Sequence, residues 1–542
     1  NGLLLATSSP ASLRSAIGSL QAAGVDPADI RREAHRRKAR YYSMGNHMLF
    51  MLGDAGSKKV LGYLDSDPIG FMAESRYAGE LRGLPIPTTP VSLSSDRFRA
   101  DRFMPHEKKT WNLNKRDYTS LLPFLEDGLY NNPKIEEFNS RRGEERDMYL
   151  TVDAKLQKML QEDFERYFPT SQLRGLDRLR ASVVILNAST GDLLTSANYP
   201  VPVQDSIIRL NDAEIYGDAP FEKLPHHAPL TERDLGMTFM TAPGSTAKVI
   251  TALAALKGLG ADAARQEYYI SIDEEIERSA RLTGYMSMEN AIIHSSNNYF
   301  IRLLHDRNLY PQLNDIYEAV GTRLTDRDGK AVTSYFFNIG ELNSSLPFNT
   351  LLTQIGREGL RAYRTATNPP PRTKEIRRLW NRNEMALAWG QGALRATPLA
   401  MARVAAIVAN DGNLAPTRYV KKIGNSTVPA ASPIKIVGNN EASILRQYMQ
   451  KESQRWSELP NRPGEKTSIG GKTGTPERAD RRGNKHCNDT WYICFMQSKK
   501  LNAPIAVALR LERTPGFTSS VAAQTMARCV IPTLNAAGYN IY

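Results

Sequence analysis

Ser245 and Lys248 have the residue types and the spacing that a serine nucleophile and its base need. They lie in the segment PGSTAKVITALAAL (243–256), where Pro243 and Gly244 interrupt the chain just before the serine. The following residues favour a helix, so Ser245 is predicted in its first turn and Lys248 one turn later on the same face. A serine hydroxyl is a weak nucleophile, and a lysine kept neutral by burial or by another cation can activate it.

Taken alone, Ser-x-x-Lys also has a structural interpretation. A serine at a helix start commonly caps a backbone N–H that has no partner inside the helix, and a lysine three residues later is commonly solvated. The motif arises by chance in many proteins, so by itself it favours this structural interpretation. The chemical interpretation requires further parts of an acyl-transfer site downstream.

The second motif is Ser295–Ser296–Asn297, which precedes an apolar helical stripe. Ser295 can relay a proton towards a leaving amine. The carboxamide of Asn297 offers a donor and an acceptor together, which suits binding of a peptide backbone. We assign Ser296 to substrate binding beside them. Alone, this motif is also typical of a helix cap.

The third motif is Lys472–Thr473–Gly474–Thr475, on a predicted strand. Lys472 supplies a positive charge that can lower the pKa of a neighbouring lysine and attract a carboxylate. The hydroxyls of Thr473 and Thr475 can bind that carboxylate, and Gly474 leaves room for a substrate at the strand edge. Backbone N–H groups of Ser245 and Thr475 are the predicted oxyanion hole. The three motifs in this order resemble the set found in penicillin-recognising serine enzymes.

Length and composition indicate a soluble globular protein. At 542 residues the chain predicts two or more folding units, and its 41% hydrophobic content suffices for a large core. The longest apolar tracts fall short of the ~20 residues that a membrane span needs.

The net charge of +13 suits a protein near an anionic polymer or a membrane surface, and it also suits nucleic acid. The basic residues are scattered, and the densest run, Arg31–Arg40, is interpreted as a solvated helix face. No zinc-finger, aromatic RNA-binding or Walker pattern is present in the sequence. We therefore predict no nucleic-acid partner.

Cysteine and histidine usage predicts neither a disulfide framework nor a metal site. The odd count of cysteines leaves at least one thiol free, and Cys487 and Cys494 are predicted on one extended strand, too far apart to bridge. The pair His226–His227 has no further ligand at a suitable spacing. We predict no metal and no cofactor.

Two domains are predicted, a non-catalytic domain at 1–145 and a catalytic domain at 146–542. The second opens with an amphipathic helix and a β-hairpin of strands 182–186 and 192–197. The helix stripe comprises Leu156, Met159, Leu160 and Phe164.

The chain closes with three strand-like runs, TSIGGKTGTPER, NDTWYICFMQ and APIAVALRLE, joined by turn-like segments and followed by a helix. These runs predict an antiparallel meander. Hairpin and meander together predict one mixed sheet with helices on its faces, a fold of the α/β (α+β) class. The three consecutive prolines in 368–378 predict a surface excursion.

With these residues in place, the chain resembles a class B penicillin-binding protein, a monofunctional peptidoglycan D,D-transpeptidase. Beyond the three motifs, the resemblance is carried by LTVDAKLQ, VVILNASTGDLLTSANYP, WGQGALRATPLAMARVAAIVANDG and DTWYICFMQ. Upstream, NGLLLATS and GFMAESRYAGELRG are similar to the segment after the family's membrane anchor and to its N-terminal pedestal.

The resemblance implies a transpeptidase domain with an antiparallel sheet flanked by helices, and an elongated pedestal domain. It implies that Ser245 attacks the penultimate D-Ala carbonyl of a D-Ala-D-Ala stem peptide, and that β-lactams acylate the same serine. It also implies an extracytoplasmic (periplasmic) location, an N-terminal anchor that precedes this sequence, and a membrane-embedded glycan polymerase as partner.

Departures from the family pattern and alternative functions remain. Ala242 stands where the family often has an acidic residue, and residues 201–241 and 343–381 match poorly, which leaves acceptor specificity open. The motifs build an acyl-enzyme without fixing its fate, so a D,D-carboxypeptidase or β-lactamase-type hydrolase is an alternative. A β-lactam sensor or a non-turning-over scaffold of wall synthesis is another.

Overall fold

The structure is a computed structural model. It describes residues 2–36, 40–53, 73–76, 81, 145–176, 179–202, 234–270, 282–324, 386–392, 394–459, 467–479, 485–498 and 501–541. The pair His226–His227, the segments 343–381 and 368–378 and most of 70–83 and 201–241 lie outside these residues.

The strands are β1 Ala6–Thr7, β2 Tyr41–Tyr42, β3 Met148–Leu150, β4 Arg180–Asn187, β5 Leu193–Tyr199, β6 Glu267–Ile270, β7 Gly284–Ser287, β8 Arg323–Leu324, β9 Leu394–Arg395, β10 Asn413–Leu414, β11 Val420–Ile423, β12 Ser426–Thr427, β13 Ile434–Lys435, β14 Thr467–Gly474, β15 Glu477–Ala479, β16 Lys485–Asn488, β17 Thr490–Ser498 and β18 Ile505–Glu512.

The α-helices are α1 Pro10–Ser15, α2 Ile17–Ala22, α3 Pro27–His35, α4 Leu49–Leu52, α5 Ala73–Arg76, α6 Ala154–Tyr167, α7 Lys248–Leu259, α8 Met288–His294, α9 Asn297–Asp306, α10 Tyr310–Val320, α11 Pro398–Ala409, α12 Asn439–Ser453, α13 Ser520–Thr525 and α14 Ile531–Ala536. Short 3-10 turns lie at Gly45–Met48, Phe168–Thr170, Gly244–Ala247, Gly260–Arg265 and Leu387–Trp389, and Met526–Val530 forms a π-helical turn.

The chain divides into two compact units. The first contains the described residues up to 154 together with 419–429. In it, β3 pairs with β11 and β11 with β12, while β1 pairs with β2. Helix α3 is capped by the Asp26 side chain and begins with Pro27, and its exposed Arg31 and Arg32 agree with the predicted solvated face. The boundary at residue 145 stays a prediction.

The second unit is built on a five-stranded sheet in the order β14-β17-β18-β4-β5. The predicted opening hairpin is β4–β5, and the predicted meander is β14–β17–β18. The expectation of a mixed sheet is wrong, because every pairing in this sheet is antiparallel. The antiparallel sheet flanked by helices that the resemblance implied is confirmed. Strand β14 lies at one edge.

Both faces of this sheet are covered. One face packs on α6 and the C-terminal helices through a core that includes Leu160, Phe164, Val507, Leu509 and Val530. The opposite face packs on α11, which contacts β4, β17 and β18. All residues of β18 are buried, as two covered faces require.

The predicted apolar stripe of helix α6 is buried in large part. Leu156, Leu160 and Phe164 are fully buried, whereas Met159 is half-buried at the edge of the stripe. The pattern missed the buried Gln157, whose side chain bonds the backbone of Ser196 on β5, at 2.9 Å to both N and O. These bonds satisfy a buried amide and fix the helix against the sheet.

Helices α7 and α11 lie inside the unit. Residues 248–256 of α7 and all of α11 are buried. Thr397 caps α11 at the N–H of Ala400, and Pro398 occupies the first helical position. An apolar surface on all sides is typical of a helix in the centre of a core.

Two further details differ from the expectations. The segment between β14 and β17, predicted as a turn, contains the two-stranded ribbon β15–β16. Cys487 therefore lies on β16 and Cys494 on β17, not on one strand. Cys494 and Cys529 are buried free thiols.

None of the described helices combines the length and hydrophobicity needed to cross a bilayer.

A buried charge network ties the segment before Ser245 to the sheet. The Glu512 carboxylate forms ion pairs with the guanidinium groups of Arg180 (N to O, 2.8 Å) and Arg510 (N to O, 2.7 Å). All three side chains are buried. Both guanidinium groups lie over the ring of Phe239. Arg510 also donates to the carbonyls of Leu235 and Phe239, each at 2.8 Å. The segment that contains Leu235 and Phe239, which precedes the Ser245 turn, is thus bound to β18.

We predict that Glu512→Gln lowers the free energy of unfolding by about 3–5 kcal/mol, because two buried guanidinium groups lose their shared counter-charge. The matched control is Glu458→Gln, since Glu458 pairs with Arg528 at 2.8 Å on the surface. Its loss is expected to cost less than about 1 kcal/mol. Denaturant unfolding of both variants measures the difference, and equal losses would contradict the prediction.

Candidate active site

Ser245 lies in the 3-10 turn Gly244–Ala247, directly before α7. The N-cap of α7 is Ala247, which makes no side-chain capping bond. The hydroxyl of the half-buried Ser245 lies 3.0 Å from the Nζ of Lys248. The side chain is therefore joined to the lysine, as the chemical interpretation of Ser-x-x-Lys requires.

The Lys248 amine connects two of the three motifs. Its side chain is fully buried, and its Nζ lies 2.9 Å from the Oγ of Ser295 and within hydrogen-bond distance of the Ser295 carbonyl. A buried amine is costly unless hydrogen-bonded. Oxygen atoms of Ser245 and Ser295 thus supply partners from separate parts of the chain.

Ser295 ends α8 in the left-handed conformation, with φ 63° and ψ 40°. This conformation is uncommon for a residue other than glycine and marks local strain that the surroundings must support. Both the carbonyl and the hydroxyl of Ser295 reach the same amine, Lys248 Nζ. The sequence pattern gave no indication of this strain.

Ser296 and Asn297 begin the next helix, α9. The buried Ser296 hydroxyl accepts the backbone N–H of Tyr299 at 3.3 Å and caps α9. The capping interpretation therefore describes Ser296, and its role in substrate binding stays a prediction. Asn297 is the first residue of α9 and is partly exposed.

The end of β14 abuts the Ser245 turn. A Cβ atom on Gly474 would lie 2.8 Å from the Pro243 carbonyl oxygen and 3.0 Å from Thr246 Cγ2. The motif predicts that Gly474 leaves room for substrate, whereas here its missing side chain lets β14 approach the nucleophile turn. Thr475 follows β14 and is half-buried.

A second glycine holds the turn from another side. Gly390, in the left-handed region at φ 83°, accepts the N–H of Gly244 at 2.9 Å. A Cβ there would lie 2.1 Å from the Gly244 carbonyl oxygen and 2.7 Å from Ala247 Cβ. The segment that contains Gly390 thus fixes the Ser245 turn through backbone contact.

Lys472 lies on β14 in a buried setting, and burial lowers its pKa. The opposing influence is Glu452 on α12, whose Oε1 lies 3.8 Å from Lys472 Nζ. That distance makes an electrostatic contact and is too long for a hydrogen bond. Glu452 also accepts the Thr473 hydroxyl at 2.9 Å and the Thr473 N–H at 3.4 Å.

Glu452 is a site-adjacent residue that none of the three motifs contains. Its pKa is raised by burial, and the Lys472 charge and the Thr473 bonds act in the opposite direction. A signal for it exists in the sequence, because Glu452 continues a buried stripe of α12 at helical spacing. The apolar members of the stripe are Ala442, Leu445 and Met449.

The geometry brings the predicted residues together to different degrees. Ser245, Lys248 and Ser295 are joined directly, and Lys472, Thr473 and Gly474 lie on the strand that abuts the same turn. Such an arrangement suits activation of a hydroxyl beside an edge strand that can receive a peptide. Among the described residues, no group of three or more His, Cys, Asp or Glu side chains is arranged to hold a metal ion.

A comparison with known protein families gives a match. The family described as the penicillin binding protein transpeptidase domain matches residues 181–530, which is 350 of the 542 residues. The chain therefore belongs to the penicillin-binding protein transpeptidase family. The prediction of a penicillin-binding protein is confirmed. A comparison with curated protein sequences gives no match.

Several solved structures are similar to this chain. PBPA from Mycobacterium tuberculosis is 20% identical, with 72% of this chain and 82% of that chain covered and a TM-score of 0.46. Pseudomonas aeruginosa PBP2 in complex with WCK 5153 is 20% identical, with 72% and 78% covered and a TM-score of 0.45. The transpeptidase domain of Burkholderia pseudomallei penicillin-binding protein 3 is 17% identical, with 72% and 97% covered and a TM-score of 0.45.

We predict that Gly474→Ala lowers the free energy of unfolding by about 1–3 kcal/mol, because the added methyl forces β14 away from the Ser245 turn. The control is Gly18→Ala in α2, where a Cβ meets nothing within 4 Å. Alanine there is expected to be neutral or stabilising by up to about 1 kcal/mol. Denaturant titration of both variants tests this, and an unchanged midpoint for Gly474→Ala would refute it.

Proposed function

We propose that this protein is a class B penicillin-binding protein, a serine D,D-transpeptidase that cross-links peptidoglycan stem peptides and is acylated by β-lactams. The observation that carries the proposal is the contact between Ser245 Oγ and Lys248 Nζ at 3.0 Å, with Ser295 Oγ 2.9 Å from the same amine. Membership of the transpeptidase family supports the reaction class.

In the proposed acylation, Ser245 Oγ attacks the penultimate D-Ala carbonyl while Lys248 removes the hydroxyl proton. A neutral amine has two N–H bonds and one lone pair. The Ser295 carbonyl and hydroxyl can accept the two hydrogens, which aims the lone pair at Ser245. The buried position of Lys248 supports this role, since burial disfavours the charged form of an amine.

In the next step the C–N bond to the terminal D-Ala breaks and its amine must gain a proton. We assign this transfer to Ser295, which passes a proton from Lys248 to the departing nitrogen. The amine of a neighbouring stem peptide then attacks the acyl-enzyme, forms the new amide and returns the Ser245 hydroxyl. Backbone N–H groups of Ser245 and Thr475 are the proposed oxyanion hole.

Substrate recognition is assigned to the outer edge of β14 and the start of α9. A stem peptide adding along this edge strand would place its terminal carboxylate near Lys472 and the hydroxyls of Thr473 and Thr475. Asn297 and Ser296 are the proposed partners of the peptide on the opposite side. The edge position of β14 in the sheet supports this placement.

The family resemblance supports action at the extracytoplasmic face of a bacterial membrane, beside a membrane-embedded glycan polymerase. A D,D-carboxypeptidase, a β-lactamase-type hydrolase and a β-lactam sensor or scaffold share the acylation step. They differ from a transpeptidase in the fate of the acyl group, so the lifetime of the acyl-enzyme and its reaction with an amine separate them.

We predict that brief exposure to benzylpenicillin adds one drug mass to the protein and that Ser245→Ala abolishes the adduct. Intact-protein mass spectrometry measures it, and thermal melting of the variant serves as the folding control. A stable adduct that amines resolve supports the transpeptidase. An adduct lost within seconds with drug consumed supports a hydrolase, and no adduct on the parent protein would refute acyl transfer.

We predict that Lys248→Met slows acylation about 10²–10⁴-fold, because Ser245 loses its base while the side-chain volume is kept. The matched control is Lys257→Met on the same helix, where Lys257 pairs with Asp315 at 2.6 Å on the surface. Labelling kinetics with a fluorescent penicillin measure both rates. Near-parental labelling of Lys248→Met would remove Lys248 from the base role.

A further inference from the structure

Helix α12 contacts two motif-bearing elements of the site. Towards α8, which ends at Ser295, Lys451 pairs with Glu289 at 2.6 Å and Arg455 donates to the Ile293 carbonyl. Towards β14, α12 presents the Glu452 carboxylate to Lys472 and Thr473. The C-terminal turn of α12 is thus a bridge between the Ser-x-Asn and Lys-Thr-Gly motifs.

The ionisable groups around Glu452 belong to three segments of the chain. Lys472 lies on β14 and Arg455 follows α12, and both positive charges oppose the rise in the Glu452 pKa that burial causes. Tyr492 and Cys494 face it from β17, and burial raises the pKa of both, so they stay uncharged near neutral pH. The ionisable neighbours of Glu452 that carry charge are therefore cations.

The buried position of Glu452 is unfavourable for a carboxylate. Its neighbours on the stripe are apolar, and its Oε2 has no hydrogen-bond partner among the described residues. An apolar side chain at this position would avoid the desolvation cost of a buried carboxylate. A buried carboxylate that bonds Thr473 and faces Lys472 therefore has an electrostatic effect that an apolar residue cannot supply.

We propose that Glu452 is a positioning residue of the acyl-transfer site, whose carboxylate orients the Thr473 hydroxyl and keeps the Lys472 amine in its charged form. The inference rests on the proposed function, because a charged Lys472 matters only where an anionic substrate end must bind. Lys472, Arg455 and Glu452 together retain one positive charge, so a substrate carboxylate is still attracted.

The sign of the effect follows from the contacts. Burial lowers the pKa of Lys472, and the Glu452 charge raises it. Removing the Glu452 charge lowers the pKa of Lys472 further, so Lys472 loses its proton at a lower pH. The site then loses its attraction for a carboxylate at that lower pH as well. The high-pH limb of the acylation profile reports this loss.

The experiment measures the second-order rate constant of acylation by benzylpenicillin from pH 5 to pH 10 for the parent protein, Glu452→Gln, Glu452→Asp and Glu289→Gln. For Glu452→Gln we expect the high-pH limb to move down by about one pH unit, which is a tenfold lower rate on that limb. Glu452→Asp keeps the charge and should retain the parental limb even if its rate is lower at every pH. Glu289→Gln removes a carboxylate that also pairs with α12, and its profile should overlay the parental one.

The pH profiles of the variants test the inference directly. Superimposable profiles for Glu452→Gln and the parent overturn the inference, and so does a limb that shifts equally in Glu452→Asp or Glu289→Gln, because packing of α12 would then be the cause. A parent protein that is not acylated at any pH overturns the proposed function itself. Thermal melting of each variant confirms that the rates belong to folded protein.

Discussion

The placement of one buried amine, Lys248 Nζ, is the constraint on which the rest of the site depends. A lysine without solvent needs oxygen partners, and here they come from Ser245 on the preceding turn and from Ser295 at the junction of α8 and α9. These segments must therefore be held in fixed positions relative to one another. The buried helix α7 and the strained conformation of Ser295 are the local means.

Glycines let the nucleophile turn be held by backbone contact instead of by flexible side chains. Gly390 and Gly474 approach the turn so closely that a methyl group on either would overlap its backbone or side-chain atoms. Contacts of this kind lose no side-chain entropy and leave little freedom of position. The same closeness places β14, the terminal strand of the described sheet, beside the Ser245 turn, so the contact that rigidifies the nucleophile also brings the strand of the proposed substrate site next to it.

The parts that local pattern determines were predictable from the sequence. The hairpin β4–β5, the meander β14–β17–β18, the stripe of α6 and the pairing of Ser245 with Lys248 all follow from spacing and periodicity. The features that were missed depend on residues far apart in the chain. The contact of Gly390 with Gly244 and that of Glu452 with Lys472 are not encoded in any short motif. The antiparallel pairing of β18 with β4, which joins the meander to the hairpin, likewise depends on how distant segments assemble.

Glu452 is a charged residue at a position of α12 where the helical periodicity predicts a buried apolar one. Along α12 the positions of Ala442, Leu445 and Met449 are buried because apolar area leaves water, and this favours folding. The same periodicity places Glu452 in the interior, where a lone carboxylate is disfavoured and needs compensating charge. Lys472 on β14 has the converse need. Each of the two buried charges thus lowers the cost of the other, and the 3.8 Å between them couples the helix that bridges two motifs to the strand that carries the third.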